Sequence, residues 1–193
     1  MITLDDKRVL VIGLGRSGVA ASELLRSHGA QVVAVDAATG DALAREAARL
    51  RPLGIEVVLG TSALPAGEFD FVVTSPGVPW SDPVLAAAKA RGWRIIGEFE
   101  LGYQYARCLN VAITGTNGKT TTTELIERML RHAGLKTIAA GNIGLPVCAV
   151  AGQSHELDFL TLEVSSFQLE TIEYFRPVVG VLLNITPDHF DRY

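Results

Sequence analysis

The stretch Ile113-Thr-Gly-Thr-Asn-Gly-Lys-Thr-Thr-Thr-Thr123 decides the fold of this chain of 193 residues. It follows an apolar run, 109–113, typical of a buried strand, and precedes the segment 124–131, whose apolar residues recur at helical spacing. A glycine-containing turn between a strand and a helix directs backbone N–H groups and the positive end of the helix at one point. Lys119 adds a mobile positive charge there, and the Thr120 hydroxyl can bind a metal ion. These are the elements of a phosphate-binding loop.

The loop departs from the general P-loop pattern, GxxxxGK[ST]. That pattern has a glycine five residues before Gly118, where this sequence has Ile113, so Gly115 opens a shorter loop. The alternative to a ligand site is a plain strand, turn and helix with a surface lysine. Four consecutive threonines are poor residues for the beginning of a helix, however, and this favours a ligand-binding reason for their presence.

The composition describes a globular protein with enough apolar residues for one large domain or two small ones. Hydrophobic residues make up 48% of the chain, and the net charge of −4 argues against a nucleic-acid binder, which needs a basic surface. No apolar run approaches the roughly 20 residues of a membrane span. Met1 leads directly into the strand-like run 7–12, without the apolar core of a signal peptide. We therefore expect a cytoplasmic protein.

The two cysteines, Cys108 and Cys148, lack the CxxC spacing of metal or redox sites and have apolar neighbours. We expect both to be small core residues in a reducing compartment.

The N-terminal part has the pattern of a dinucleotide-binding fold. The apolar run 8–13 leads into Gly13-Leu-Gly-Arg-Ser-Gly18, a GxGxxG turn, which is followed by an amphipathic helix over 19–28. A second strand, 31–35, ends in Asp36, as the dinucleotide fingerprint requires. Asp36 can accept hydrogen bonds from a ribose or a base, or can simply be a surface residue that ends the strand. NAD is the commonest ligand of such a turn, but a UDP-sugar presents the same diphosphate.

Strands and helices continue to alternate as far as residue 97. The strand 70–73 runs into Thr74-Ser-Pro-Gly-Val-Pro79, a rigid turn at the sheet edge where open α/β folds bind ligands. The alternation predicts a parallel sheet with right-handed crossovers and a domain boundary near Gly97. The other predicted elements are helices over 39–51 and 82–91, the second with Ser81 as its N-cap, and strands over 56–59 and 93–96.

The strand before the phosphate loop begins a second sheet, with further strands predicted over 136–140, 158–164 and 178–183, the last of them buried. Glu163 ends its strand beside the phosphate loop, where a Mg²⁺ ligand belongs, unless it is an acidic strand end that faces solvent. After the last strand come Asp188, His189 and Asp191. We expect the strand ends that carry Lys119, Glu163 and His189 to meet at one edge of one sheet.

Two phosphate sites in one chain suggest ATP chemistry on a substrate that carries its own phosphates, as in a kinase or an ATP-dependent ligase. An NAD(P)-dependent oxidoreductase is the first alternative, but it leaves the loop 115–120 and Glu163 without a role. A non-catalytic nucleotide-binding module is the second.

The stretches GLGRSG, TSPG, GTNGKTTT, GNIG, LEVSSFQLE and NITPDHFDRY, in this order, resemble the Mur ligases of peptidoglycan synthesis. The resemblance covers essentially the whole chain, and it is strongest to the type that adds D-glutamate to UDP-N-acetylmuramoyl-L-alanine. It implies a Rossmann-like UDP-substrate-binding domain over 1–97 and part of a P-loop ATPase-type central domain over 98–193. Folylpolyglutamate synthases share the ATP loop but would not begin with this UDP-binding domain.

The resemblance also implies a mechanism and its residues. The family uses ATP and Mg²⁺ to convert the alanyl carboxylate into an acyl phosphate, which the amine of D-glutamate then attacks. The implied catalytic residues are Lys119, Glu163 and His189, and the implied metal ligands are Thr120, Glu163 and His189. The implied ATP-binding residues are Gly115, Thr116, Asn117, Gly118, Lys119, Thr120 and Thr121. The implied UDP-substrate residues are Gly13, Gly15, Arg16, Ser17, Gly18, Asp36, Ser75, Gly77, Asn142, Ser165 and Gln168.

Relative to the family, the chain is expected to lack the rest of the central domain and a third domain. In the family these supply a metal-site lysine, contacts to the ATP base and the D-glutamate pocket. The resemblance therefore implies a chain that binds a UDP-substrate without turnover, has an exposed edge in its second sheet, and comes from a monomeric family member. Mg-ATP hydrolysis that responds to a UDP-muramoyl compound would distinguish an enzyme from a binding module.

Overall fold

The computed structural model describes residues 2–188 and 190 and contains two sheets, in which all the described strands run parallel. The first sheet consists of β1 (Arg8–Ile12), β2 (Gln31–Asp36), β3 (Glu56–Leu59), β4 (Phe71–Thr74) and β5 (Ile95–Gly97), in the order β3-β2-β1-β4-β5. The second consists of β6 (Leu109–Thr114), β7 (Thr137–Gly141), β8 (Phe159–Glu163) and β9 (Val179–Leu182), in the order β7-β8-β6-β9. The predicted α/β class with parallel sheets is confirmed.

Helices follow most of the strands. They are α1 (Arg16–Ser27), α2 (Asp41–Leu50), α3 (Pro83–Ala90), α4 (Glu98–Tyr105), α5 (Lys119–His132), α6 (Val147–Ala151) and α7 (Ser166–Leu169). Short 3-10 turns lie at Arg51–Leu53 and Ser154–Glu156. Among the described residues, no helix combines the length and apolar character needed to cross a membrane.

Helix α5 begins at Lys119, so the four threonines lie within its first turns, ahead of the segment 124–131 whose apolar residues show helical spacing. Gly118 makes this early start possible because its φ of 85° turns the chain sharply out of the loop. The Thr120 hydroxyl donates a hydrogen bond to Glu163 rather than to its own helix backbone. Thr120, a residue of poor helix propensity, thus makes a tertiary contact at the candidate site.

The prediction of Ser81 as the N-cap of α3 is wrong. The cap is Asp82, whose carboxylate accepts hydrogen bonds from the backbone N–H groups of Val84 (2.9 Å) and Leu85 (3.0 Å). The physical reason is Pro83, which has no N–H to lose and is pre-set for the first helical position, so the capping position falls on the residue before it.

Strand β9 was predicted to be buried, and this is also wrong. Val179 is 48% and Leu182 is 61% exposed, since among the described strands β9 pairs only with β6 and forms the edge of the second sheet. An apolar run cannot distinguish a central strand from an edge strand, because the difference depends on what lies beside the strand. The expectation of an exposed edge in the second sheet agrees with this position of β9.

Helix α4 was not predicted, and it joins the two halves. Phe99 packs in the core of the second sheet, whereas Leu101, two residues later, packs in the core of the first. Cys148, on α6, packs in the core of the first sheet as well, as a small apolar residue, whereas Cys108 is only half-buried. Two buried positions of α4 are occupied by glutamates, Glu98 (1% exposed) and Glu100 (fully buried). The buried face of the helix is therefore not marked by apolar residues at helical spacing.

Glu98 is a buried acid with incomplete hydrogen bonding. Its Oε1 accepts a hydrogen bond from the Cys148 backbone N–H at 2.7 Å, while Oε2 has no partner within the described chain. Burial raises the pKa of the Glu98 carboxyl from 4.5 to about 7. The folded protein therefore holds a proton on Glu98 at pH values where the unfolded chain has released it.

We expect the free energy of unfolding to fall by about 1 kcal/mol between pH 6 and pH 8 because of Glu98 alone. A pKa raised on folding gives stability that is complete below pH 4.5 and is lost as the pH rises through about 7. Glu98→Gln should remove this part of the pH dependence in urea unfolding measured at both pH values. Glu173→Gln, at an exposed ion pair with Arg94, is the control. An unchanged pH slope in Glu98→Gln would contradict the assignment.

Candidate functional site

The phosphate loop lies between β6 and α5 as the sequence predicts. Gly115 (φ 140°) and Gly118 (φ 85°) adopt backbone angles that side chains disfavour. The Lys119 Nζ folds back over the loop and donates hydrogen bonds to the carbonyl oxygens of Gly115 (2.7 Å) and Thr116 (3.0 Å). The ammonium group therefore lies at the mouth of the loop, together with the first amides of α5, which have no partner within the helix. This arrangement provides the positive charge and N–H donors that a phosphate needs.

Glu163 lies at the end of β8 and is almost completely buried, at 1% exposure. Its Oε2 accepts a hydrogen bond from the Thr120 hydroxyl at 2.8 Å, and its Oε1 accepts one from the Asn142 amide at 2.7 Å. The alternative of a solvent-facing strand end is therefore wrong. A threonine hydroxyl beside a carboxylate, next to a phosphate loop, is a set of oxygen ligands that suits Mg²⁺.

The turn after β7 holds Asn142 against Glu163. The Asn142 backbone N–H donates to the Glu163 carbonyl oxygen at 2.9 Å. A side chain at Gly141 would place its Cβ 2.3 Å from that same oxygen, and the φ of 101° is unfavourable for other residues. Gly141 is therefore required for the close approach of the two strand ends, and Asn142 reaches Glu163 because of it.

The ends of β6, β7, β8 and β9 surround one cleft of about 500 Å³. Lys119, Asn142, Ser165 and Asp188 all line it, as expected for strand ends that meet at one edge of a parallel sheet. His189, predicted as a catalytic residue and metal ligand, lies outside the described residues. Those residues contain no group of three or more His, Cys, Asp or Glu side chains that could hold a metal ion by themselves.

Two residues that were not singled out, Asn184 and Thr186, bind the phosphate loop directly. Asn184 exchanges two hydrogen bonds with the backbone of Asn117: the Asn117 N–H donates to Oδ1 at 2.9 Å, and Nδ2 donates to the Asn117 carbonyl at 3.0 Å. The Thr116 hydroxyl likewise exchanges hydrogen bonds with the backbone of Thr186. The stretch NITPDHFDRY contains both residues, but nothing in their spacing indicates a contact some 70 residues away.

A second cleft of about 470 Å³ lies at the carboxyl edge of the first sheet. It brings together all the predicted residues of the N-terminal part except Gly18, which lies beneath it: Gly13, Gly15, Arg16, Ser17, Asp36, Ser75 and Gly77. The Asp36 carboxylate accepts hydrogen bonds from the backbone N–H groups of Leu14 (2.7 Å) and Ala38 (2.9 Å), so it fixes the glycine turn in place. It is half-buried and is more than a surface residue that ends the strand.

Gly18 and Ser75 shape the floor of this second cleft. The Ser75 hydroxyl donates to the Gly13 carbonyl at 2.9 Å. A Cβ on Gly18 would lie 1.7 Å from the same carbonyl oxygen, so only glycine allows α1 to pack this closely on the turn. The geometry agrees with the structural role that a GxGxxG turn assigns to its third glycine.

A polar contact joins the glycine turn to the turn after β7. Arg16, in the glycine turn, donates from Nη2 to the carbonyl oxygen of Gly144 at 2.7 Å. Gly144 belongs to the turn 141–145, which also carries Asn142. Arg16, which is predicted to bind the diphosphate, therefore contacts the same turn whose Asn142 side chain binds the Glu163 carboxylate.

Ser165 and Gln168 form a capping box at the beginning of α7. The Gln168 backbone N–H donates to the Ser165 hydroxyl at 3.3 Å, and the Ser165 backbone N–H donates to Gln168 Oε1 at 2.9 Å. Ser165 lines the 500 Å³ cleft, whereas Gln168 is 3% exposed and lies behind it. A direct substrate contact of Gln168 stays a prediction.

Comparison with known families accounts for almost the whole chain. Residues 7–97 match the family model described as Mur ligase MurD-like, N-terminal domain, and residues 113–193 match the one described as Mur ligase middle domain. The chain belongs to the Mur ligase family. The loop 115–118 and Glu163 lie within the middle-domain match, and the glycine turn lies within the N-terminal match.

Two curated relatives of this Mur ligase chain carry the same name. It is 48% identical over 188 residues to the UDP-N-acetylmuramoylalanine–D-glutamate ligase of Pelotomaculum thermopropionicum, covering 97% of this chain and 41% of that protein. It is 47% identical over 191 residues to the ligase of the same name from Acidobacterium capsulatum, covering 98% and 41%. The chain thus spans about two fifths of the length of these relatives.

A solved Mur ligase structure confirms the fold. The UDP-N-acetylmuramate:L-alanyl-gamma-D-glutamyl-meso-diaminopimelate ligase of Neisseria meningitides superposes with a TM-score of 0.55 at 23% identity, over 97% of this chain and 63% of that one. At this identity the similarity concerns the fold alone.

Proposed function

We propose that this chain forms the UDP-substrate-binding and ATP-binding parts of an ATP-dependent ligase that adds D-glutamate to UDP-N-acetylmuramoyl-L-alanine in peptidoglycan synthesis. The observation that carries the proposal is the pair of clefts that suit phosphates, one at the glycine turn and one at Lys119, with the Glu163 carboxylate buried beside the second through its hydrogen bonds to Thr120 and Asn142. The names of the curated relatives support the choice of substrates. Residues 1–97 constitute the UDP-substrate domain and residues 98–193 the ATP-binding part.

The first step of the reaction brings two negatively charged groups together. A carboxylate oxygen of the alanyl group attacks the γ-phosphorus of ATP, ADP leaves, and an acyl phosphate forms. The amine of D-glutamate then attacks the acyl carbon, phosphate leaves, and the amine loses a proton as the amide forms. Both reactants of the first step are anions, so the site must supply positive charge that is arranged in advance.

Lys119 and the amides at the beginning of α5 supply that charge from this chain. Lys119 moves from the loop carbonyls to the β- and γ-phosphates, which attract an ammonium group more strongly than neutral carbonyl oxygens do. Thr120 and Glu163, and by resemblance His189, would hold Mg²⁺. Bound there, the ion neutralises phosphate charge and orients the γ-phosphate.

The cleft at the glycine turn takes the UDP end of the substrate. The glycine turn lets the diphosphate approach the backbone of Gly15 and Arg16, and Asp36 accepts hydrogen bonds from the uridine. Asn142, Ser165 and Gln168 position the muramoyl part between the two clefts. By resemblance we assign a cytoplasmic location and a monomeric state to the whole protein.

Binding to the cleft at the glycine turn tests the proposal without any need for turnover. The melting temperature is measured with UDP-N-acetylmuramoyl-L-alanine, UDP and NADH added separately. A ligand at 100 times its Kd stabilises the fold by about 2.7 kcal/mol, which gives a shift of several degrees. We expect shifts with both UDP compounds and none with NADH. A shift with NADH alone would favour the NAD(P)-dependent oxidoreductase instead.

A further inference from the structure

Residues 184–186 hold the phosphate loop from its outer side. We propose that Asn184 is a positioning residue for nucleotide binding: it fixes the backbone of the loop so that the phosphates meet a preformed site. The inference rests on the proposed function, because it presumes that the loop binds ATP. We call the contacts of Asn184 and Thr186 with Thr116 and Asn117 the loop clamp.

The loop clamp uses the backbone N–H groups of two successive loop residues. The backbone N–H of Thr116 donates to the Asn184 carbonyl at 3.0 Å, and the N–H of Asn117 donates to the Asn184 side chain at 2.9 Å. These two amides are therefore engaged by Asn184. The phosphates are left to the next amides, those of Gly118, Lys119 and Thr120, which belong to the beginning of α5.

The approach of the two segments is close enough to need glycine in the loop. A Cβ on Gly115 would lie 3.0 Å from the Asn184 carbonyl oxygen and 3.1 Å from the Leu183 Cβ. The Leu183 N–H continues the β6–β9 ladder by donating to the Thr114 carbonyl at 3.0 Å. The loop clamp is thus a direct extension of the sheet pairing, which sets where Asn184 can lie.

We expect the loop clamp to matter most when phosphates compete for Lys119. Without nucleotide, Lys119 holds the loop from inside by donating to the carbonyl oxygens of Gly115 and Thr116. We expect bound phosphates to compete for the three N–H donors of this ammonium group and so to weaken both contacts. The loop clamp involves neither Lys119 nor the ligand, so it keeps the loop in shape in the bound state.

The test compares Asn184→Ala with the unchanged chain by titration calorimetry with Mg-ATP. We expect affinity to fall about tenfold, because the loop must be ordered at the cost of binding free energy. Val181→Ala is the matched control: it shortens a half-buried side chain on the same strand, away from the clamp, and lowers stability without changing affinity. Equal affinity in Asn184→Ala and the unchanged chain would overturn the positioning role.

Amide hydrogen exchange separates this inference from the proposed function. In the unchanged chain without nucleotide, the Thr116 and Asn117 amides should be protected, and Mg-ATP should add protection only from Gly118 onward. In Asn184→Ala the Asn117 amide should lose its protection because its side-chain acceptor is gone, whereas the Thr116 amide, which donates to the backbone carbonyl of residue 184, should keep most of its protection. Fast exchange of both amides in the unchanged chain would overturn the loop clamp, whatever the nucleotide does. Failure of the unchanged chain to bind Mg-ATP would overturn the proposed ATP site and, with it, the positioning role.

A second variant covers the case in which Asn184→Ala does not fold. Thr116→Val keeps the branched shape but removes the hydroxyl that joins Thr186, so it opens the other half of the clamp. We expect a loss of Mg-ATP affinity in the same direction and about threefold in size, because the two hydrogen bonds that the variant removes are neutral and exposed to solvent. An affinity equal to that of the unchanged chain would contradict the clamp here as well.

Discussion

Gly18→Ala is expected to lower the free energy of unfolding by at least about 3 kcal/mol. The added Cβ would lie 1.7 Å from the Gly13 carbonyl oxygen and 3.0 Å from the Ser75 hydroxyl, so α1 and the glycine turn would have to separate. Forcing one methyl group into a packed site usually costs about 1–3 kcal/mol, and here the obstacle is backbone, which yields less than a side chain. Urea unfolding measures the loss directly.

Gly152→Ala is the control for this substitution. Gly152 has helical angles (φ −63°, ψ −32°), and a Cβ there would meet nothing within 4 Å. This variant should be as stable as the unchanged chain or slightly more stable, since alanine restricts the unfolded state. If Gly18→Ala proved as stable as Gly152→Ala, the close packing of α1 on the turn would be wrong.

Lys119→Ala is expected to weaken Mg-ATP binding about 100-fold. A hydrogen bond that involves a charged group contributes about 1.5–3 kcal/mol, and Lys119 is the charged side chain at the mouth of the phosphate loop. Titration calorimetry with Mg-ATP gives the change in affinity. Because the cleft at the glycine turn does not involve Lys119, the shift of melting temperature with UDP should be unchanged in the same variant.

Lys136→Ala is the matched control, because it removes an exposed lysine at the opposite end of β7 from the cleft. It should bind Mg-ATP as tightly as the unchanged chain. Equal losses in the two variants would mean that Lys119 contributes only general positive charge, and an intact affinity in Lys119→Ala would remove it from the ATP site.

The sequence was sufficient to predict the parts of the fold that depend on local pattern. Runs such as 8–13 and 109–113 identify parallel strands because both faces of such strands are apolar. The site residues at strand ends could be predicted equally well, since the carboxyl ends of parallel strands share one edge. Lys119, Asn142 and Ser165 therefore line one cleft although they come from three separate segments.

Features that depend on long-range contacts could not be predicted in this way. The burial of Glu163 depends on Thr120 and Asn142, which approach it only because Gly141 allows the strand ends to meet. The exposure of β9 depends on its place in the strand order, and the Asn184 contacts depend on β9 lying beside β6. Each of these features depends on contacts between segments that are far apart in the sequence, so the sequence of one segment does not indicate it.

The parallel pairing of β6 and β9 also sets the order in which the chain becomes competent during synthesis. The loop 115–118 leaves the ribosome early, but the residues that clamp it, 184–186, emerge almost 70 residues later. Strands β6, β7 and β8 can pair with one another before β9 exists, because β9 is the outermost strand. We therefore expect the nascent chain to form this sheet before its nucleotide loop is clamped, with the cleft at the glycine turn formed while the cleft at Lys119 is still open.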